Sequence, residues 1–109
     1  MMTGNEYQKL AMRTSPTKEP FHMLRNAAYG LNGEAGEVID LLKKHEFQGH
    51  GLDKEKLKEE VGDVLWYVAQ ACEALDITLD DLMTANITKL EKRYPNHYFE
   101  SSRSINREV

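Results

Sequence analysis

Glu34-Ala35-Gly36-Glu37-Val38 and Glu60-Val61-Gly62-Asp63-Val64 share one pattern: an acid, an apolar residue, glycine, a second acid and valine. Each copy lies inside a segment whose apolar residues recur at helical spacing, so two helices carry matching acidic pairs. Carboxylates three residues apart stand about 60° apart around a helix and about 5–6 Å apart at Cβ, close enough for both to reach one small cation or to bridge two. Four hard oxygen ligands of this kind suit Mg²⁺.

Outward from the pentapeptides, the chain reads as four helices with almost no strand signal. Leu24, Ala27, Ala28, Leu31, Ala35, Val38, Ile39 and Leu42 form the apolar stripe of a long helix that starts near Pro20, a residue suited to a first helical turn, and runs to about Phe47. Gln48-Gly49-His50-Gly51 is a loop, and Asp53 is the expected N-cap of the next helix, with Leu57, Val61, Val64, Leu65, Val68, Ala71, Cys72 and Leu75 as its stripe. Thr78 with Asp81 three residues on resembles a capping box for a further helix ending before Pro95. A short first helix from about Thr3 to Arg13 brings Tyr7, Leu10 and Ala11 together and breaks at Thr14-Ser15-Pro16. The division expected is a helical domain over 1–95 and a polar C-terminal tail over 96–109.

Helical wheels separate candidate ligands from surface charge. With Glu34 at zero and about 100° per residue, the stripe of its helix centres near about 70° and Glu37 falls near about 300°, so both acids border the buried face. The next helix repeats this for Glu60 and Asp63, whereas Glu59 falls near about 260°, opposite the core, and is read as solvated. Packed stripe to stripe, the two helices offer their acids to a shared cleft.

An acidic pair on one amphipathic helix is ordinarily a wet face, and charged residues make up 29% of this chain. Two matching pairs weigh against that. Each also contains a helical glycine costing roughly 0.8–1.0 kcal/mol relative to alanine, so Gly36 and Gly62 are expected to mark close approach. Four gathered carboxylates repel one another, and without a cation some of their pKa values must rise.

The last long helix supplies positive charge. Asn86, Lys89 and Arg93 flank its stripe of Leu79, Met83, Ile87, Leu90 and Tyr94. Lys and Arg bind phosphate oxygens as a point charge and as a bidentate fork. Two cations near a helix C-terminus are also favoured there by the helix dipole alone. Phe21, His22, Trp66 and Tyr67 are available to stack on or hydrogen-bond a base, although aromatics at this spacing more often belong to a core.

Size and charge narrow the classes. A chain of 109 residues is one domain, between sizes that bury roughly 60% and roughly 70% of their unfolded surface. The formal charge is -4, and no basic run is long enough for a nucleic-acid polymer. Cys72 is the single cysteine, falls at an apolar helical position and fits a reducing compartment. The longest apolar run, Val64 to Ala69, is far short of the ~20 residues of a membrane helix, so a cytoplasmic protein without membrane partners is expected.

Glu34-x-x-Glu37, a 22-residue gap, Glu60-x-x-Asp63, and then Asn86-x-x-Lys89-x-x-x-Arg93-Tyr94-Pro95 resemble the MazG-like all-α nucleoside triphosphate pyrophosphohydrolases over roughly Phe21 to Pro95. The resemblance implies an all-α, four-helix antiparallel bundle-like protomer assembled as a homodimer or a dimer of dimers. It implies Mg²⁺, with Mn²⁺ as a substitute, on Glu34, Glu37, Glu60 and Asp63, and hydrolysis of a nucleoside triphosphate to monophosphate and pyrophosphate. Asn86, Lys89 and Arg93 look like the phosphate-side residues and Tyr67 like a nucleotide contact; His22 is taken as a further nucleotide contact from its side-chain chemistry, and Glu37 as the carboxylate that orients or deprotonates the attacking water. Tyr7-Gln8-x-x-Ala11-x-Arg13-Thr14 resembles small stand-alone or phage-borne members.

Three other readings remain open. A di-iron bundle needs two Glu-x-x-His motifs, and the one here, Glu19-Pro20-Phe21-His22, straddles a helix start. A phosphoribosyl-ATP pyrophosphohydrolase would use similar acidic helices on a modified ATP. A non-catalytic helical interaction module would keep the acids for solubility and ignore both Mg²⁺ and nucleotide.

Overall fold

The computed structural model describes residues 1–107, and these are helical, with no strand among them. α1 spans Gly4–Ala11 and runs into a 3₁₀ turn at Met12–Thr14. It is followed by α2 (Pro20–Phe47), α3 (Lys54–Ala74), α4 (Leu79–Arg93) and α5 (Ser101–Ile105). The fifth helix falls in the stretch read from sequence as a polar tail.

Local chemistry sets these boundaries. Thr3 Oγ1 accepts from the Glu6 N–H at 3.1 Å while Glu6 Oε1 accepts from the Thr3 N–H, a complete capping box. Pro20 opens α2, and the Glu19 carboxylate accepts from the N–H groups of Phe21 (3.0 Å) and His22 (2.7 Å). Asp53 and Thr78 cap α3 and α4, accepting from Lys56 and Asp81. Gly49 leaves α2 at φ +73, a conformation glycine adopts without strain. α3 ends in a Schellman turn: Ile77 N–H donates to Cys72 O and Asp76 N–H to Glu73 O, with Asp76 itself left-handed at φ 56.

α2 and α3 pack as an antiparallel hairpin, by far the most extensive contact in the protein, with α1 lying on α3 and α4 touching α1 and α3 more lightly. Met23, Ala27, Ala69 and Cys72 are buried in or beside the seam, with Leu31, Val38, Leu57 and Val64 half-buried along it. Burial raises the pKa of the Cys72 thiol. Gln8 is the stitch between α1 and the α3–α4 turn. Its Nε2 donates to Glu73 Oε1 and to Ile77 O, both at 3.1 Å, and its Oε1 accepts from Leu79 N–H at 2.6 Å. The first helix therefore turns Gln8 and Ala11 inward and leaves Leu10, expected in the core, exposed.

The apolar stripes are wider than the contacts that cover them. Ile39 and Val61 are 65% and 57% exposed, and Met83, Ile87 and Leu90 of α4 are exposed as well. The protomer shows 8217 Å² of accessible surface, where a compact chain of its mass shows about 6,200 Å². Its radius of gyration is 16.8 Å, against about 13 Å for a compact domain of this length. No helix among the described residues is long and apolar enough to cross a membrane.

The structure corrects the expectation about glycine. A Cβ at Gly36 or Gly62 would meet nothing within 4 Å, so neither marks close approach within the chain. The close approaches are elsewhere: a Cβ at Gly30 would run into the Tyr67 ring, and one at Gly4 would crowd Asp80 and Met83.

Candidate metal centre

The hairpin seam carries its acids inward. Glu34 recurs seven residues after Ala27 on the buried ridge of α2, and Glu60 lies one turn before Val64 on the facing ridge of α3. Glu60 is buried and Glu34 half-buried. Asp63, one turn past Glu60 and more exposed, joins them. Oxygens of Glu34, Glu60 and Asp63 all lie within 4.8 Å of one another. Glu37 is exposed and stands outside this group, though its charge still reaches Glu34.

Glu34 Oε2 is closed off from water with no donor beside it. Two carboxylates are both acceptors, so the contact between Glu34 and Glu60 becomes a hydrogen bond only when one of them holds a proton. That contact is the largest cause raising the Glu34 pKa from 4.5 to about 7, followed by burial and the charges of Glu60, Asp63 and Glu37. The repulsion expected among gathered acids is thus present and is focused on one residue. Lys56 supplies the nearest positive charge, with Nζ 3.5 Å from Glu60 Oε1 and 3.7 Å from Glu59 Oε2, and its own pKa rises because of Glu60 first. Glu59 is otherwise solvated, as its wheel position predicts.

This donor set fits a hard divalent cation. It offers three carboxylates from two helices, one with an orphaned oxygen, and a lysine already partly offsets their charge. Glu34, Glu60 and Asp63 are the residues that would hold such an ion.

Around the acids the other expected residues disperse. Tyr67, one turn past Asp63, lays its ring over Gly30 and meets Trp66 edge to face at 4.9 Å. Trp66 Nε1–H donates to Thr14 Oγ1 at 2.9 Å, which fastens this corner to the turn after α1. Asn86 lines a groove with Tyr7, whose hydroxyl pKa is raised by burial and by the charge of Asp63. Lys89 is exposed on α4. Arg93 lines a separate basic hollow with Lys92, Arg103 and Arg107. His22 is exposed beside Glu19 at 3.9 Å, and twelve residues of helix put it about 18 Å along the axis from Glu34, so the protomer does not bring it to the acids. Phe21 is exposed beside it.

Sequence reasoning missed Lys56, Tyr7 and Gly30. For Lys56 a signal existed, since it stands four residues before Glu60. For Tyr7 and Gly30 none did, because their partners lie on other helices.

Comparison with known proteins adds to this geometry. The family model described as MazG nucleotide pyrophosphohydrolase domain matches residues 23–98. The chain is similar to the Gene 37 protein of Mycobacterium phage L5, 40% identical over 68 residues, an alignment covering 59% of this chain and 60% of that relative. No solved structure matches. The matched span opens on the first buried turn of α2 and closes beyond α4, so it encloses the acidic seam and the helix that carries Asn86, Lys89 and Arg93, and the chain belongs to the MazG nucleotide pyrophosphohydrolase domain family.

Proposed function

We propose that the protein is a Mg²⁺-dependent nucleoside triphosphate pyrophosphohydrolase that releases a nucleoside monophosphate and pyrophosphate. The observation that carries this reading is the trio of Glu34, Glu60 and Asp63, in which the contact with Glu60, then burial and the neighbouring charges, raise the Glu34 pKa to about 7. Mg²⁺, with Mn²⁺ as a substitute, would neutralise phosphate charge there and stabilise the departing pyrophosphate. Water forms a bond to the α-phosphorus, the bond from that phosphorus to the bridging oxygen breaks, and the water proton passes to a base. Glu37, the carboxylate left outside the trio, is the residue for that role. Asn86, Lys89 and Arg93 would bind the phosphates and Tyr67 borders the site; within the protomer Arg93 lines a separate hollow and His22 lies far along α2, so both reach a nucleotide only if another copy brings them there.

The working unit is an assembly. An excess of about 2,000 Å² of surface over a compact monomer exceeds the ~800 Å² that each partner contributes to a standard interface. A homodimer or homotetramer that closes a helical bundle over the exposed stripes would bury it. The lone buried Cys72 supports a reducing, cytoplasmic location.

A panel of canonical and modified nucleoside triphosphates, with phosphoribosyl-ATP included, tests this through the products formed with Mg²⁺. Pyrophosphate and monophosphate are expected from at least one ordinary nucleotide. Orthophosphate as the product would move the cleavage site and defeat the proposal, and turnover of phosphoribosyl-ATP alone would replace it. In Glu37→Gln, turnover should fall by about 10²–10⁴-fold while Mg²⁺-dependent binding survives; unchanged turnover removes Glu37 from the role.

A further inference from the structure

One turn beyond the acids, the α2–α3 seam holds a wedge. Gly30 precedes Glu34 by four residues on α2, and Tyr67 follows Asp63 by four on α3. Their contact is therefore the next rung of the antiparallel hairpin, about 6 Å along the axis from the trio. A Cβ on Gly30 would run into Cδ1, Cε1 and Cζ of the Tyr67 ring. Helix axes separate by about 8–10 Å according to the side chains between them, so a ring seated on a bare glycine fixes the spacing at this rung. Gly36 and Gly62, the glycines between the paired acids, face open space within the chain and set no spacing.

The ring is braced. Trp66 meets it edge to face at 4.9 Å, with an interplanar angle of 86°. Trp66 Nε1–H donates to Thr14 Oγ1 at 2.9 Å, and the Thr14 hydroxyl donates in turn to Ala11 O at 3.1 Å. The wedge is thus anchored at the end of α1, by a turn outside the span the family model matches.

Spacing matters because the trio is split between the two helices: Glu34 comes from α2, Glu60 and Asp63 from α3. Mg²⁺ demands near-ideal octahedral oxygens at about 2.0–2.1 Å, whereas Ca²⁺ accepts about six to eight ligands at about 2.3–2.6 Å in flexible geometry. Moving the helices apart, or loosening them, therefore costs the smaller ion more than the larger.

We propose that the Gly30–Tyr67 wedge, pinned by Trp66 and Thr14, sets the width of the cation site and so selects Mg²⁺ over Ca²⁺. These four are positioning residues that act through Glu34, Glu60 and Asp63. The inference rests on the metal-dependent reading of the trio.

Calorimetry of the full chain with Mg²⁺ and, separately, with Ca²⁺ tests it. In Gly30→Ala, Mg²⁺ binding should weaken about tenfold or more while Ca²⁺ binding changes by about threefold or less. Thr14→Val frees Trp66 without adding bulk to the seam and should shift the preference toward Ca²⁺ by about two- to threefold. Tyr67→Phe keeps the ring and should keep the preference. Met23→Ala, buried in the seam eleven residues before Glu34, should lower the melting temperature and leave the preference unchanged. An unchanged preference in Gly30→Ala, or in Thr14→Val where Gly30→Ala fails to fold, overturns the proposal, and so does an equal shift in Met23→Ala. A preference lost in Tyr67→Phe also overturns it and moves the role to the hydroxyl. A wild-type chain that binds Ca²⁺ as tightly as Mg²⁺ defeats the wedge alone; one that binds neither ion defeats the metal-dependent reading and the wedge with it.

Discussion

The α2–α3 seam and the α4 arm are built from equally amphipathic helices, yet one is closed and the other open. In the seam, ridges of apolar residues meet, a glycine admits an aromatic ring, and acids are drawn inward with their repulsion intact. In the arm, Met83, Ile87 and Leu90 face outward, and their helix touches the hairpin lightly. Amphipathicity states only that a helix must bury a face; the geometry of the hairpin decides which face is covered within the chain and which is left open.

The largest expected effect lies in the seam. Glu34→Gln removes one charge from the trio and should cut turnover by about 10³-fold, the loss of a few kcal/mol of transition-state stabilisation. Without Mg²⁺ the same change should leave the fold as stable or more stable above neutral pH, because a repulsive charge is gone. Retained turnover would dismiss the trio as the site; a metal-free variant that melts early would mean the carboxylate is structural.

Next in size is the arm. Ile87→Glu places a charge where an interface is expected and should shift the mass by light scattering toward the single protomer, with wild type expected to run as a multimer. A wild-type chain of protomer mass at micromolar concentration would show that the open face needs no partner.

Glycine substitutions compare the two surfaces directly. Gly30→Ala drives a methyl into the Tyr67 ring and should destabilise by about 1–3 kcal/mol, as overpacking does. Gly36→Ala and Gly62→Ala meet open space within the chain and should gain roughly 0.8–1.0 kcal/mol from helix propensity. A lower melting temperature for either of these would locate a partner helix against that glycine.

The smallest effect is in pH. Glu34 has a folded pKa of about 7, above its ordinary 4.5, so the folded state binds more proton between these values. Stability of the metal-free protein from this group is therefore present below about pH 4.5 and is lost as pH rises through 7. Melting temperatures should fall from pH 5 to 8 and the slope should flatten with Mg²⁺, which replaces the proton. An unchanged slope with Mg²⁺ would place the ion elsewhere.

The sequence by itself determined the first four α-helices but not α5, the caps at Asp53 and Thr78, the solvated place of Glu59 and the inward lean of Glu34 and Glu60, because periodicity and capping are local properties carried by neighbours three or four residues apart. Only the tertiary structure decided that Asp63 rather than Glu37 completes the trio, that Gly30 rather than Gly36 or Gly62 marks close approach, and that the charge of Asp63 is felt at Tyr7. A wheel places a side chain on a helix to within a broad arc, but which of two bordering acids reaches a neighbour depends on the crossing and rotation of whole helices, and those are set by every contact along the seam at once.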